Sequence, residues 1–269
     1  MFSFLRHQAL RFNLLVITCM LGACAAPEPA GAGVELRLLS WNVLHGADEH
    51  GHLNVEAKGR YIRDLHADIV FLQELDNNCN RTGAINQLRV LAQLTSMQPR
   101  FCAFMPFEGG EYGLGMLSAL PIRESHCLRL PDGDEPRVAL VCELELLGRP
   151  LLAVDVHFNW IEDDVARFAQ AEALLQDLAR SDLPCIVAGD FNDTPQSRTL
   201  AAFYAAGFTH LEAPGNSWNA RAPSKDIDHI LWRAGLGLEL GPMGGEVLEE
   251  FSLSDHRPVL ARLRVRARP

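Results

Sequence analysis

The stretch SLSDHRPV, residues 252–259, sets Asp255 directly beside His256. An imidazole held by a carboxylate can take a proton from water, so the pair is a candidate for general-base chemistry. In an extended segment, however, neighbouring side chains point to opposite faces, and Asp255 is badly placed to hold the ring of its own neighbour. A second carboxylate is expected from elsewhere in the chain. Five other apolar runs finish in groups of the same kind: Asn42 in LLSWN, Glu74 in VFLQEL, His157 and Asn159 in AVDVHFN, Asp190 and Asn192 in IVAGDFN, and Asp228 in KDIDHILW. Polar groups that end a buried strand lie at the rim of a sheet, where solvent and ligand enter. Taken singly, Asn42 reads as a turn former, Glu74 as an exposed strand end, and Asp190 with Asn192 as loop caps. Six such endings in one chain point instead to a shared polar site.

The elements that must position these groups are short apolar runs bounded by turn residues. Residues 34–43, 67–75, 112–120, 137–146, 150–159, 183–192, 225–232 and 257–266 read as strands. Helical spacing appears in residues 55–67, 84–97 and 164–180; in the last, Val165, Phe168, Leu175 and Leu178 share one face. A shorter helix is expected to begin at DTPQSRTL, with Thr194 as N-cap and Pro195 at the first helical position. Strands dominate and helices fall at irregular intervals. That pattern predicts an α+β fold, two packed sheets flanked by helices, over a regularly alternating doubly wound one.

Composition is consistent with one domain. The 269 residues are 48% hydrophobic and 22% charged, and no Pro/Gly/Ser-rich linker or internal repeat divides the middle. At the N-terminus, Arg6 and Arg11 precede the apolar run NLLVITCMLGAC, too short for a membrane span and of the length of a signal-peptide core. Export is therefore expected. The run ends in Leu21-Gly22-Ala23-Cys24, which resembles a bacterial lipoprotein box, with ordinary cleavage near Ala23 to Ala26 as the alternative. The expected organisation is a signal peptide over 1–23, a flexible tether over 24–33 and a domain over 34–266. A lipidated Cys24 would tie the protein to the membrane in the periplasm, and Ala25 resembles outer-membrane lipoproteins.

Removing residues 1–23 takes away two arginines and no acids, so the formal charge moves from −10 to −12. Avid, sequence-independent binding of a polyanion relies on many Lys and Arg, so that balance disfavours it. The one basic stripe, Arg262, Arg264, Arg266 and Arg268, alternates with apolar residues and reads as the solvated face of a last strand. Cys79, Cys102, Cys127, Cys142 and Cys185 are odd in number, so at least one is unpaired; no CxxC occurs to suggest a thiolate zinc site. Cys127 and Cys142 flank a loop and could face each other, but the sequence does not establish a bridge.

The ordered motifs WNVLHG, LQELD, YGLGMLS, DVHFN, GDFND, IDHIL and SDHRPV resemble those of the endonuclease/exonuclease/phosphatase family, metal-dependent phosphoesterases with a deoxyribonuclease-I-like fold. The resemblance spans roughly residues 34–266 and implies a two-sheet sandwich flanked by helices. It also implies hydrolysis of phosphodiesters or phosphomonoesters in nucleic acids, lipids or small molecules. Such chemistry needs positive charge on the nonbridging oxygens, a deprotonated water and a protonated leaving oxygen. Mg²⁺ or Mn²⁺ would supply the charge, since these ions take hard oxygen ligands and few protein groups suffice.

By the same resemblance Glu74 and Asn42 would form the metal site, with Asp255 adding to it or holding a second metal, and Asp228 would hold His256 in the tautomer of a general base. His157 would donate to a phosphate oxygen or the leaving group. Asp190 and Asn192 would position the nucleophile and phosphate. Asn159, Tyr112 and Arg137 are candidate substrate contacts. Two positions depart from the pattern. Asp155 stands where threonine is frequent and, sharing a strand face with His157, is expected to raise its pKa; Leu114 replaces a frequent asparagine. The leading expectation is an exported Mg²⁺-dependent phosphodiesterase, a monomer without a protein partner. A secreted nuclease, a non-catalytic lipid-anchored binding protein and a structural envelope lipoprotein are the other readings.

Overall fold

The computed structural model describes residues 33–268. The expected signal peptide and lipidation box, and the tether over 24–33 but for Gly33, lie outside the described residues. Twelve strands form two six-stranded sheets. The first contains β1 (Val34–Asn42), β2 (Ile69–Asn77), β3 (Gln98–Phe107), β4 (Gly110–Ser118), β11 (Leu238–Val247) and β12 (Val259–Ala267), in the order β11-β12-β1-β2-β4-β3. The second contains β5 (Ile122–Arg129), β6 (Val138–Leu146), β7 (Arg149–His157), β8 (Cys185–Asp190), β9 (Thr209–His210) and β10 (Asp228–Arg233), in the order β5-β6-β7-β8-β10-β9.

Helices α1 (Val55–Leu65) and α2 (Gln87–Thr95) cover the first sheet, and α3 (Val165–Leu178) and α4 (Arg198–Ala205) the second. The inter-sheet core is built from alternate strand residues, among them Leu36, Leu38, Phe71 and Met116 against Leu140, Ala153, Ile186 and Ile230. The odd and even positions of one strand thus serve two cores, which is why β1 and β8 are nearly continuous apolar runs. The result is the expected sandwich of two sheets flanked by helices.

Each sheet has one parallel pair, β1 with β2 and β7 with β8, crossed over by α1 and α3. Parallel neighbours end on the same side. Asn42, which ends β1, and Glu74, the residue after its β2 partner Gln73, therefore lie at one rim, as do His157 and Asp190, which end β7 and β8. Antiparallel β10 starts at Asp228 opposite Asp190, and β12 starts at Val259 opposite Ser40, which brings the 252–258 segment to that rim. Gly189 makes the close approach possible: a side chain there would run into the Val156 carbonyl.

Local structure differs from expectation in places. Four strands, β3, β5, β9 and β11, carry no clear pattern; β3 and β5 are edge strands, and β11 is an edge interrupted by Gly-Pro-Met-Gly-Gly. Helix α3 buries a face rotated from the expected one, which keeps Leu178 and part of Leu175. Val165 is exposed, while Arg167, Gln170, Ala171, Leu174 and Leu178 point inward. Two of these are polar because they hold the cleft loops: Arg167 Nη1 donates to the Asn159 and Ile161 carbonyls, and Gln170 Nε2 to that of Pro131. The N-cap of α4 is Ser197, whose Oγ accepts from Leu200 N at 3.2 Å, and Thr194 and Pro195 lie in the preceding turn. Cys127 bonds Cys102 on β3, joining the two sheets, and Cys142 is free and buried with Cys79 and Cys185. Without β3 in view, Cys102 was not an evident partner. The Arg262, Arg264 and Arg266 side chains are exposed beside buried Leu263 and Val265, as their alternation implies.

Behind the rim, Phe158 and Phe191 pack edge to face at 5.3 Å, and Phe191 packs on Phe203 of α4 at 5.4 Å. These aromatic anchors turn the preceding His157 and Asp190 to the opposite face. His229 lies on the same outer side, fully buried; its Nε2 donates to the Asp193 carbonyl at 2.8 Å, so its Nδ1 accepts from His210 Nε2 at 3.1 Å. Burial, and then the neighbouring His210, push the His229 pKa down from 6.5 to about 4.

Because the folded value is depressed, His229 contributes stability that is complete above the unfolded pKa and is lost as pH falls from about 6.5 to about 4. The size is about 3 kcal/mol. The raised pKa values of Asp155 and Asp190 act in the opposite sense. The expected signature is therefore a difference: urea unfolding of wild type should lose more stability between pH 7 and pH 4.5 than His229→Gln does. Equal losses would contradict it.

Candidate active site

The rim residues converge on Asp190. Its Oδ2 accepts from Asn42 Nδ2 at 3.1 Å and lies 3.5 Å from His157 Nε2 and 3.7 Å from His256 Nε2. Its Oδ1 accepts from the Asn192 backbone N–H at 2.9 Å, an Asx-type turn that holds Asn192 in left-handed backbone with φ 52°. The same Asn42 amide donates to Glu74 Oε1 at 2.9 Å. Two carboxylates from different sheets are thus bridged by one neutral amide.

His256 is held from the other side. Its Nδ1 donates to Asp228 Oδ2 at 2.8 Å, and both residues are buried. Its backbone is fixed as well: Trp41 Nε1 donates to the His256 carbonyl at 3.0 Å, and Ser254 Oγ bonds the Asn42 carbonyl at 2.8 Å. Burial alone would lower the His256 pKa, but Asp228 and Asp190 outweigh it and raise it to about 10. In the ligand-free protein the ring therefore carries its proton at neutral pH. Asp190 is raised, by burial first and then by the charge of Asp228.

His157 is set oppositely. Arg137 Nη1 donates to His157 Nδ1 at 3.2 Å, which leaves the ring proton on Nε2, facing Asp190. Burial, then the charges of Arg137 and His256, push its pKa well below 6.5, so the ring is neutral. Asp155 does not act on it as expected from the shared strand face. Its carboxyl is turned into the sandwich, where it accepts from Gln73 Nε2 and Leu72 N at 2.6 and 3.2 Å.

Glu74, Tyr112, Arg137, His157, Asp190, Asn192, Asp255 and His256 all line one cleft of about 860 Å³. Asp255 faces it from the chain neighbour of His256. Tyr112 is nearly buried, edge-on to Phe104 at 4.8 Å. Asn159 is not brought to the cleft wall: its Oδ1 accepts from Asp134 N at 3.0 Å, so it secures the loop before Arg137. Leu114 is wholly in the inter-sheet core and offers nothing to a ligand.

A sequence model of the endonuclease/exonuclease/phosphatase family matches residues 39–256. The chain belongs to this family. Solved structures agree on the fold. An endonuclease/exonuclease/phosphatase from Beutenbergia cavernae superposes with TM-score 0.73 at 18% identity, covering 86% of this chain and 72% of the other. The mannosyl-6-phosphatase Bt3783 of Bacteroides thetaiotaomicron gives 0.70 at 18%, covering 85% and 99%. The human Nocturnin catalytic domain with bound sulfate gives 0.68 at 20%, covering 86% and 93%. Hydrolysis of phosphoester bonds is the chemistry of the endonuclease/exonuclease/phosphatase family.

In this family member two groups of side chains could hold a divalent ion. Asp190, Asp228 and His256 bring three ligating atoms within 4.8 Å of one another. There, however, Nδ1 of His256 is already engaged with Asp228. Glu74 with Asn42 and Asp255 offers hard oxygens instead, and the crowding of Glu74 and Asp190 on one amide marks a place short of positive charge. Ligation through Asn42 Oδ1, which here accepts from Leu44 N at 3.1 Å, requires that amide to turn over.

Several residues around the cleft carried no signal in the sequence. Trp160 and Trp218 line it from loops without a motif, and Asp193, the last residue of GDFND, and Lys225, the first of KDIDHILW, were not singled out. Lys58 is buried under α1, donating to the Ala47 and Leu253 carbonyls and to Asn54 Oδ1, and burial lowers its pKa to about 7. It ties the loop after Asn42 to the turn before Ser254. A lysine at that helical position reads as surface.

Proposed function

We propose that this protein is an exported, Mg²⁺- or Mn²⁺-dependent phosphodiesterase that acts on a small phosphoester and is anchored to the membrane through lipidated Cys24. The observation that carries the catalytic part is the His256–Asp228 pair at 2.8 Å, facing the same cleft as Glu74 from more than a hundred residues away in sequence. Glu74 and Asn42 with Asp255 would hold a divalent ion, which would supply positive charge to the phosphoryl oxygens. Asp228 keeps the proton of His256 on Nδ1, so that the neutral ring presents the Nε2 lone pair to a water in the cleft. His157, neutral and protonated on Nε2, donates a hydrogen bond to a phosphoryl oxygen. Asp190 and the Asn192 amide orient the water and phosphate between the two rings.

Charge favours a small substrate. Arg137 and Arg167 in the cleft are paired with Glu135 and Asp193 at 3.1 Å each, and Glu74, Glu162 and Asp255 add further negative charge. A polyanion would meet repulsion where a single phosphate would not. The lipoprotein part rests on Leu21-Gly22-Ala23-Cys24 alone. Partition of Cys24→Ser into the soluble fraction would support it, and unchanged membrane association would oppose it.

The deciding experiment is a substrate panel with Mg²⁺: a bis-aryl phosphodiester, glycerophosphodiesters, inositol phosphates, sphingomyelin, RNA and supercoiled DNA. Turnover of the small diesters above that of DNA is expected. The reverse order would make the protein a nuclease. On the preferred diester, Arg137→Met should raise KM and lower kcat/KM about 10- to 100-fold, because the side chain fixes the His157 tautomer and adds positive charge at the phosphate. Unaltered kinetics would remove Arg137 from the site.

A further inference from the structure

The strand that presents Glu74 is irregular at that point. Leu72 of β2 stands opposite Gly115 of β4 and Leu75 opposite Gly113, so Gln73 and Glu74 together face Leu114 alone. The Glu74 backbone has φ 62°, as the extra residue of a bulge does. One inserted residue reverses the facing of everything beyond it. Val70 and Leu72 pack under α1 and α2, and Phe71 packs between the sheets. Strict alternation would send Leu75 inward with Phe71 and Glu74 outward with Leu72. Instead Leu75 packs beneath the helices and Glu74 lines the cleft. The bulge is therefore what aims Glu74.

A bulge leaves ladder groups without partners, and in the interior those groups must find others. The opposite sheet supplies one side chain that does so. Asp155 of β7 is fully buried; its Oδ2 accepts from Leu72 N at 3.2 Å and its Oδ1 from Gln73 Nε2 at 2.6 Å. Leu72 and Gly115 are the last regular pair before the bulge. Desolvating a carboxyl is costly, and neither inter-sheet packing nor the cleft makes use of this one. Its polar contacts are concentrated on the irregular segment.

We infer that Asp155 is a positioning residue, a polar strut from the second sheet that holds the β2 bulge and thereby keeps the Glu74 carboxylate turned toward the metal. The inference rests on the reading of Glu74 as a metal ligand. A residue that supports a ligand from outside the coordination sphere changes metal affinity by about 10- to 100-fold when removed.

The experiment is a titration of free Mn²⁺ by electron paramagnetic resonance in the chain from Cys24 onward, without substrate. Asp155→Leu, which keeps the volume and removes both acceptors, should weaken Mn²⁺ binding about 10- to 100-fold, with Asp155→Asn and Asp155→Thr between it and wild type. Saturating Mn²⁺ should return kcat to within a few fold, because the residues that touch substrate are unchanged. Should the leucine variant fail to fold, the asparagine and threonine variants carry the comparison. Wild-type Mn²⁺ affinity in the folded variants overturns the positioning role, whatever happens to their melting temperature. Glu74→Gln separates the two readings: unchanged affinity there overturns the metal assignment and the strut together, whereas unchanged affinity in the Asp155 variants alone overturns only the strut.

Discussion

His256→Asn is expected to lower kcat by about 100- to 10,000-fold while the protein remains folded. Asparagine is chosen over alanine because its amide can still donate to Asp228 Oδ2. Truncation to alanine would leave a buried carboxylate without a partner, at about 3–5 kcal/mol of stability, and would confuse lost chemistry with lost structure. The pH profile carries a second, independent sign. His256 must lose its proton to act on water, so activity rises with pH, and Asp228 and Asp190 set how late that occurs by raising the pKa to about 10 in the ligand-free protein. Asp228→Asn removes the larger of these two charges. Its rate should be lower, and the rising limb of its profile should move to lower pH. A limb that stays in place, or near-normal turnover of His256→Asn, would take His256 out of the base role.

Chelation by EDTA should abolish turnover, and Mg²⁺ or Mn²⁺ should restore it. Glu74→Gln sharpens this into a statement about one side chain. Glu74 Oε1 and Asp190 Oδ2 sit at 2.9 and 3.1 Å from the same amide nitrogen, so two negative charges are held together by a neutral group. Neutralising Glu74 should therefore stabilise the metal-free protein. It should also weaken divalent-ion binding by at least about 100-fold, beyond what loss of an outer partner does. The two effects oppose each other in thermal unfolding. Wild type should gain about 2.7 kcal/mol at a Mg²⁺ concentration one hundred times Kd, a gain the variant lacks at the same concentration. A variant that keeps the full metal-induced gain would exclude Glu74 as a ligand.

How much of this was legible in the sequence depended on periodicity. Strands flanked by neighbours on both sides, such as β1, β2, β7 and β8, carry long apolar runs because both of their faces meet a core. Edge strands lack that constraint: β5 is mostly exposed, and β11 contains proline and three glycines. The same logic explains the misread face of α3. Arg167 and Gln170 break the apolar stripe because they hydrogen-bond to cleft loops, so polarity there marks burial. Asn159 was placed near the site by its position two residues after His157, but the strand ends between them, and its carboxamide is engaged by Asp134.

The chain by itself determined which chemical groups end the buried strands and that Asp255, as the neighbour of His256, could not be its partner, because an extended backbone turns adjacent side chains apart. It also determined the layered fold, since strand and helix periods are local properties. Only the tertiary structure decided that Asp190 stands at the centre of the site, with two imidazoles and the Asn42 amide within 3.7 Å of one oxygen. It alone decided that Asp155 serves the bulge and not His157. Both depend on which strands end side by side and on a single inserted residue, matters settled by pairing between distant segments that no local pattern encodes.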